Sequence, residues 1–572
     1  MKRLAYNKDD FKELQENNYL YVDKTKFIEV IGKDQMDVTD GLFLRPRRFG
    51  KSLFISMLYH YYDINHKEEF DTLFKNTYIG NNPTKEANNY YVLRFNFSSI
   101  DASNKTKLLD NFNIHVKNRI IDFKHTYNFD FEIDFNDSPS SNLETLLTLV
   151  NLKIGKKVII LIDEYDHFTN EILSDKDYFD DITGKEGFVR SFYTIIKAQR
   201  GMGCIAKVIL TGVSAILLDS MTSGANNLIN YSMNPQFNEL FGFTENEIIW
   251  MMNSLEIIDN NNELLADLEE RYNGYLFSEI GIGNRIFNSN LVNFYLTKYL
   301  ETGAPPVTTR GTNILTDDKK IVSMLDLYPN VEDREQILMD IIANKKIEAG
   351  YVDSFELGEE FNDEQFKHLL YYLGVLTIDS IIDDGYILRV PNKVTEQVFY
   401  DTLKRYIAKQ YQLDSGFYKK TRQAIKAFVE TEDLTDLNNL FQSQFTTFPK
   451  EIFSNFYEVS LQVSYYFAFL GYNNFEVKVE EYTSKLDDYG SFGSGRTDIT
   501  IISENRIDII EFKYLSANKL KENPHIFEQQ KAKATEQLNE YAKGYTLHSD
   551  KKINKHLIMY VSGVCELYEK LA

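Results

Sequence analysis

Residues 41–58 read GLFLRPRRFGKSLFISML, and the fold turns on this stretch. Leu42, Phe43 and Leu44 make a short apolar run of the kind that forms a buried strand. A basic turn follows, Arg45-Pro46-Arg47-Arg48-Phe49, and then Gly50-Lys51-Ser52. Leu53, Phe54, Met57 and Leu58 recur at helical spacing. Strand, turn, Gly-Lys-Ser and helix are the parts of a phosphate-binding loop. Backbone N–H groups at the helix start cradle phosphate, the lysine reaches the β- and γ-phosphates, and the serine hydroxyl serves Mg2+. The full motif, G-x-x-x-x-G-K-[ST], has a glycine where this chain has Arg45.

A second apolar run, Lys157 to Ile162, reads as a strand buried on both faces and ends in Asp163-Glu164-Tyr165-Asp166. Two carboxylates at such a strand end, about a hundred residues after a phosphate loop, supply the other half of an ATP site. Asp163 is expected to hold Mg2+ with Ser52, and Glu164 to polarise the attacking water. Their alternative is a solvated acidic turn. A third buried run, Lys207 to Leu210, ends at Thr211, placed to reach the γ-phosphate or its water. Arg47 and Arg48 offer guanidinium groups to an anion. The expected nucleotide-binding residues are therefore Arg47, Arg48, Phe49, Gly50, Lys51, Ser52, Asp163 and Thr211. Arg190 and Arg200 flank a helical stretch and read as an arginine finger or as surface ion pairs.

The bulk properties narrow the class. At 572 residues the chain exceeds one core and suggests three or four domains. A net charge of −22 argues against a protein that coats nucleic acid non-specifically, while leaving room for a local basic channel. The two cysteines, Cys204 and Cys565, lie far apart and give neither a disulfide framework nor metal spacing. The nine histidines are scattered, so no histidine-based metal site is expected. The N-terminus has no apolar signal region, and no run approaches the ~18 apolar residues of a membrane span. The expectation is a soluble cytoplasmic protein.

Alternating strands and helices, with Tyr90 to Phe97 as a further strand, imply a parallel sheet covered on both sides. Residues 101–150 read as helical with a loop-like patch at 135–142. The expected architecture is α/β. A P-loop core spans 1–244 and a helical lid 245–305, followed by a mostly helical middle region at 306–440 and a compact α/β domain at 441–572. One hairpin-like piece, Val375 to Arg389, interrupts the middle region.

The last domain carries its own constellation. Arg496-Thr497-Asp498-Ile499-Thr500-Ile501-Ile502 and Ile507-Asp508-Ile509-Ile510-Glu511-Phe512-Lys513 read as an antiparallel hairpin with a turn at 503–506. Pairing Ile502 with Ile507 puts Asp498 opposite Glu511, and Lys513 shares their face. Two carboxylates and a lysine on one patch can bind Mg2+, activate water and stabilise a phosphodiester transition state. A cross-strand salt bridge is the alternative.

Several stretches carry a family resemblance: YLYVDKT, FLRPRRFGKSLF, VIILIDEYD, LTGVS, Asn226-Asn227-Leu228, FGFTENEI, RYNGYLF and YILRVPNKV, in order over residues 19–394. Together they closely resemble AAA-ATPase-like proteins of many bacteria and some eukaryotes, which typically end in a PD-(D/E)xK nuclease domain. That family shows RPRRFGKS in place of the full motif, which would make Arg45 a family trait. The D…ExK pattern implies Asp498 and Glu511 as metal ligands and Lys513 as the water-orienting base. Gln537 and Tyr541 match the superfamily's QxxxY helix, and Glu451 or Glu458 would supply a further helical ligand. The implied cofactors are ATP and Mg2+, and the implied activity is an ATPase joined to a restriction-endonuclease-like domain that cuts DNA. Implied partners are nucleotide, DNA and a homo-oligomer, with no membrane. The competing reading is a nucleotide-dependent switch or assembly module, in defence or a mobile element, with a weak or vestigial nuclease.

Overall fold

The computed structural model describes residues 3–32, 38–101, 105–167, 176–184, 186–215, 217, 227–257, 261–306, 331–352, 362–410, 416–445, 458–469, 475–486, 492–546 and 550–571. Asn226 and Glu451 lie outside them. The chain divides into two compact units: Met1–Leu327 with Glu348–Phe399, and Tyr328–Ile347 with Tyr400–Ala572. The stretch 306–440, read from the sequence as one helical region, is thus shared between them.

The first unit is built on a parallel sheet of β1 (Asp40–Leu44), β2 (Tyr91–Asn96), β3 (Val158–Asp163), β4 (Ile205–Gly212) and β5 (Ile229–Asn230). The strand order is β2-β3-β4-β1-β5. Every residue of β1 and β3 is buried, as their unbroken apolar runs require of a sheet covered on both faces. β4 separates the loop strand β1 from the acidic strand β3, so Thr211, near its carboxyl end, lies between the phosphate loop and Asp163. Ligands of open α/β sheets bind at these strand ends.

The helix Lys51–Tyr62 follows β1 and buries Phe54, Met57, Leu58 and Tyr61. Helices Glu245–Ser254, Asn261–Tyr272 and Ser289–Thr302 occupy the stretch expected as a helical lid. Their Ile248, Met251, Leu268, Tyr272 and Tyr295 pack with Leu20 and Val22 from the N-terminal segment in one apolar cluster. Thr244 caps the first lid helix in a reciprocal box with Glu247. The expected hairpin is present as β6 (Thr377–Ile382) against β7 (Gly385–Arg389). The patch at 135–142 is only partly a loop: Ser138 caps a helix that starts at Pro139, whose fixed φ suits a first helical position.

The second unit holds β8 (Glu476–Leu486), β9 (Phe492–Ile502), β10 (Arg506–Leu515), β11 (Lys552–Val561) and β12 (Val564–Leu571), in sequential order. Only β10 and β11 pair in parallel. Between those two the chain passes through the helix Ile526–Thr546. Its Ala534, Leu538 and Tyr541 pack on Ile507, Ile509 and Leu515 of β10. The helix Glu458–Phe469 also packs on β10, with Tyr465 4.8 Å from Phe512 between ring centroids.

Candidate nucleotide and nuclease sites

The loop strand ends at Leu44, and Arg45 opens the turn with its backbone N–H on the Gly212 carbonyl (3.1 Å). Its side chain does not face a ligand. Arg45 is 1% exposed. Its guanidinium donates to the carbonyls of Leu44 (2.8 Å), Ser232 (2.6 Å) and Phe237 (2.9 Å) and lies 4.0 Å from the Phe277 ring centroid. Burial draws its pKa down to about 10, which leaves it charged at neutral pH. Arg45 therefore clamps the loop from beneath. The left-handed backbone that tightens the turn is taken by Arg48 (φ 70°) and Gly50 (φ 98°) instead. Phe49 is buried as well, edge-on to Tyr275 (5.0 Å) and Phe277 (5.5 Å). It anchors the loop to the segment following the second lid helix.

Gly50 opens the Lys51–Tyr62 helix, and no side chain caps that start. Uncapped N–H groups at a helix N-terminus suit an anion. Lys51 is 5% exposed, and its Nζ donates to the carbonyls of Arg45 (3.0 Å) and Pro46 (3.1 Å). Burial lowers its pKa, against the pull of Glu164, Asp163 and Asp166. Asp163 accepts from Thr211 Oγ1 (2.7 Å) and from the Glu164 N–H (3.0 Å), and it also bonds Ser52. Burial raises the Asp163 pKa against those bonds. Thr211, expected at the phosphate, has its single hydroxyl proton on Asp163 and so orients that carboxylate.

Glu164 stands on left-handed backbone (φ 53°), unusual for a non-glycine residue. Burial pushes its pKa up, but His167 (3.4 Å), Lys51 and Arg47 outweigh that and hold it at about 2. Asp166 latches the turn by accepting from the N–H groups of Val213 (3.2 Å) and Ser214 (2.8 Å). Arg200 pairs with Asp40 (3.2 Å), the ion-pair alternative for that residue. From Gly50, Lys51 and Ser52 a cavity of about 360 Å3 extends past Arg48 and Glu164, between Tyr21 and Val22 of the N-terminal segment and Phe243 and Asn293 beside and within the lid.

In the second unit the hairpin has the register read from the sequence: Ile502 pairs with Ile507 and Ile499 with Ile510. The ladder ends there. Asp498 is not a backbone partner of Glu511; its carboxylate accepts the Phe512 N–H at 2.6 Å instead. Gln462 Nε2 donates to its other oxygen at 2.7 Å. Lys513 Nζ lies 3.0 Å from Glu511 and 3.1 Å from Glu458, so among the described residues Glu458, at the start of its helix, is a helical acid that reaches the site. Gln537 and Tyr541 meet at 3.4 Å, and Tyr541 feels the charges of Glu511 and Asp498.

Electrostatically this patch is crowded. Burial, then Glu511, raises Asp498 well above the carboxylate range, and burial raises Glu511 to about 7. Glu511 is 2% exposed, and its Oε2 has no hydrogen-bond partner. Neither do the buried carbonyl oxygens of Gln462 and Gln537. Orphaned buried acceptors beside like-charged carboxylates are a donor set suited to a hard divalent cation. Asp498 and Glu511 would hold Mg2+ there. Gln462 was not foreseen; one helical turn after Glu458, it shares that residue's face.

Residues 5–222 match the family described as predicted AAA-ATPase, and residues 457–568 match the PD-(D/E)XK nuclease superfamily. An uncharacterized protein in the vnfD 5′ region of Azotobacter chroococcum mcd 1 is 24% identical over 535 residues, covering 90% of this chain and 89% of its own. Among solved structures, the Walker-type ATPase PABY2304 of Pyrococcus abyssi aligns at 11% identity over 70% of this chain and 98% of its own, with a TM-score of 0.37. The ORC2 protein of Aeropyrum pernix aligns at 9% identity over 68% of this chain and 98% of its own, with a TM-score of 0.27.

Proposed function

We propose that this chain, which joins an AAA-ATPase-like region to a PD-(D/E)XK nuclease-superfamily region, binds and hydrolyses ATP and cleaves DNA phosphodiester bonds with Mg2+. The observation that carries the nuclease half is the buried, unpartnered Glu511 Oε2 beside Asp498, with Lys513 held on the same face. Mg2+ bound at either site supplies positive charge that polarises a phosphoryl oxygen and acidifies water.

At the nucleotide site the residues have separate tasks. The uncapped helix start at Gly50 receives phosphate through its N–H groups. Lys51 turns from the Arg45 and Pro46 carbonyls to the β- and γ-phosphates. Ser52 and Asp163 hold Mg2+, and Thr211 fixes the Asp163 rotamer. Glu164, kept ionised by His167, Lys51 and Arg47, accepts a hydrogen bond from the attacking water. Arg48 lies on the cavity wall beside the phosphate position.

At the nuclease site Asp498 and Glu511 ligate the cation, and Glu458 keeps Lys513 from collapsing onto Glu511 alone. Three acidic neighbours raise the pKa of Lys513 above its ordinary value against the effect of burial, so it acts as a charged donor. It orients the attacking water and stabilises charge building on the phosphate.

Supercoiled plasmid tests this reading. Purified wild type is expected to nick or linearise it with Mg2+ or Mn2+ and to leave it intact in EDTA. Asp498→Ala should cleave at least ~10³-fold more slowly. Wild type that cuts neither DNA nor RNA with any divalent ion removes the nuclease half. Nucleotide-dependent oligomerisation without cleavage would favour the switch.

A further inference from the structure

A second kind of metal chemistry lies at the rear of the loop helix. We propose that His60, His66 and Glu69 form a binding site for a divalent transition-metal ion of the zinc class, separate from the Mg2+ positions. One donor atom from each of the three lies within 4.8 Å of the others. The two imidazole rings are 4.3 Å apart between centroids. His60 Nδ1 and His66 Nε2 are both buried without a hydrogen-bond partner. His60 itself is 4% exposed.

Buried imidazole nitrogens are nearly always bonded, and the orphaned His60 Nδ1 beside the His66–Glu69 pair forms a recognisable donor set. His66 Nδ1 and Glu69 Oε2 stand 2.8 Å apart and share one proton. A metal ion would take that proton's place between His66 Nδ1 and Glu69, the ring proton passing to His66 Nε2, with His60 as the third protein ligand and water completing the shell. Two imidazoles and one carboxylate favour zinc-class ions over Mg2+, which prefers oxygen donors.

Placement gives the ion a structural task. His60 sits in the last turn of Lys51–Tyr62, at the opposite end from the phosphate loop. His66 and Glu69 belong to the 3-10 turn Ile64–Glu69 that follows it. The ion would tie helix to turn and brace the element that presents Lys51 and Ser52. Two cations oppose it. Lys12 Nζ holds the other oxygen of Glu69 at 2.6 Å, and Arg94, stacked 3.8 Å from the Tyr59 ring centroid, acts on His60. Lys12 is partly exposed and can release Glu69.

Full-length protein is stripped with EDTA and dialysed into excess Mg2+, which fills the oxygen-donor sites. It is then titrated with Co2+ alone, read by visible absorption, and the Co2+ is displaced by Zn2+. Wild type is expected to take up about one equivalent with nitrogen–oxygen d–d bands. Asp498→Ala should bind equally, since that carboxylate belongs to the other unit. His60→Gln and His66→Gln should each weaken binding at least tenfold, and Lys12→Ala should tighten it. The thermal midpoint of wild type should rise on adding Zn2+, and that of His66→Gln should not. If wild type takes up no Co2+, or if the double histidine variant binds it like wild type while keeping its circular dichroism spectrum, the site does not exist.

Discussion

The two candidate sites solve the same electrostatic problem in opposite ways. At the phosphate loop the charges rest on fixed partners: Lys51 on two loop carbonyls, Asp163 on Thr211 and the Glu164 N–H, and Glu164 beside His167. At the nuclease patch Asp498, Glu511 and Glu458 crowd around Lys513. Glu511 keeps one buried oxygen unpaired, and both Asp498 and Glu511 are pushed toward protonation. The first site has its charges paired within the protein, and Lys51 would exchange its partners for phosphate. The second stores unfavourable charge that the proposed cation would relieve, a common way for function to be held at the expense of stability.

Removing Arg45 breaks the organised half of this contrast. Arg45→Ala leaves three buried carbonyls without their donor, and we expect a loss of about 3–5 kcal/mol in urea melts. Arg45→Lys should not restore it, because one ammonium does not reproduce the planar fork. Glu511→Gln sharpens the crowded half. In EDTA at pH 8 it should stabilise the protein by about 1–3 kcal/mol while abolishing cleavage. The sign follows from the raised pKa. The folded state holds the Glu511 proton up to about pH 7, against an ordinary 4.5. The destabilising effect of Glu511 is therefore absent below the ordinary value, grows as pH rises between the two and is full above 7. The gain in Glu511→Gln should shrink as pH falls from 8 to about 5, read as the difference between the two melting midpoints. A smaller effect comes from Gln462→Leu, which should weaken Mn2+ binding about tenfold by releasing the Asp498 rotamer, measured by calorimetric titration.

Much of this was legible along the chain because the chemistry is local. Gly50-Lys51-Ser52 and Asp163-Glu164 stand at the ends of unbroken apolar strands, and a period of two residues fixes the hairpin face once Ile502 meets Ile507. Side-chain direction was not legible. Arg45 reads in the sequence only as a departure from the glycine of the full motif. It is a buried clamp because Ser232, Phe237 and Phe277, distant in sequence, fold beneath it. The resemblance motifs become contacts in the same way. Lys24 of YLYVDKT meets Glu247 of FGFTENEI at 2.7 Å. Gly274 of RYNGYLF leaves no room for a Cβ, which would lie 2.2 Å from the Pro391 carbonyl of YILRVPNKV. Thr211, read toward phosphate, bonds Asp163 in this structure. His60 and His66 passed as scattered histidines because a helix end and a following turn bring them together.

The most direct test measures ATP hydrolysis and plasmid cleavage side by side in wild type, Lys51→Ala and Lys513→Ala, with Mg2+ and ATP present throughout. Lys51→Ala should lose hydrolysis by about 100-fold or more, and Lys513→Ala should lose cleavage by about 1,000-fold while hydrolysing ATP at the wild-type rate. Cleavage that survives in Lys513→Ala, or hydrolysis that survives in Lys51→Ala, would contradict the assignment of these two sites.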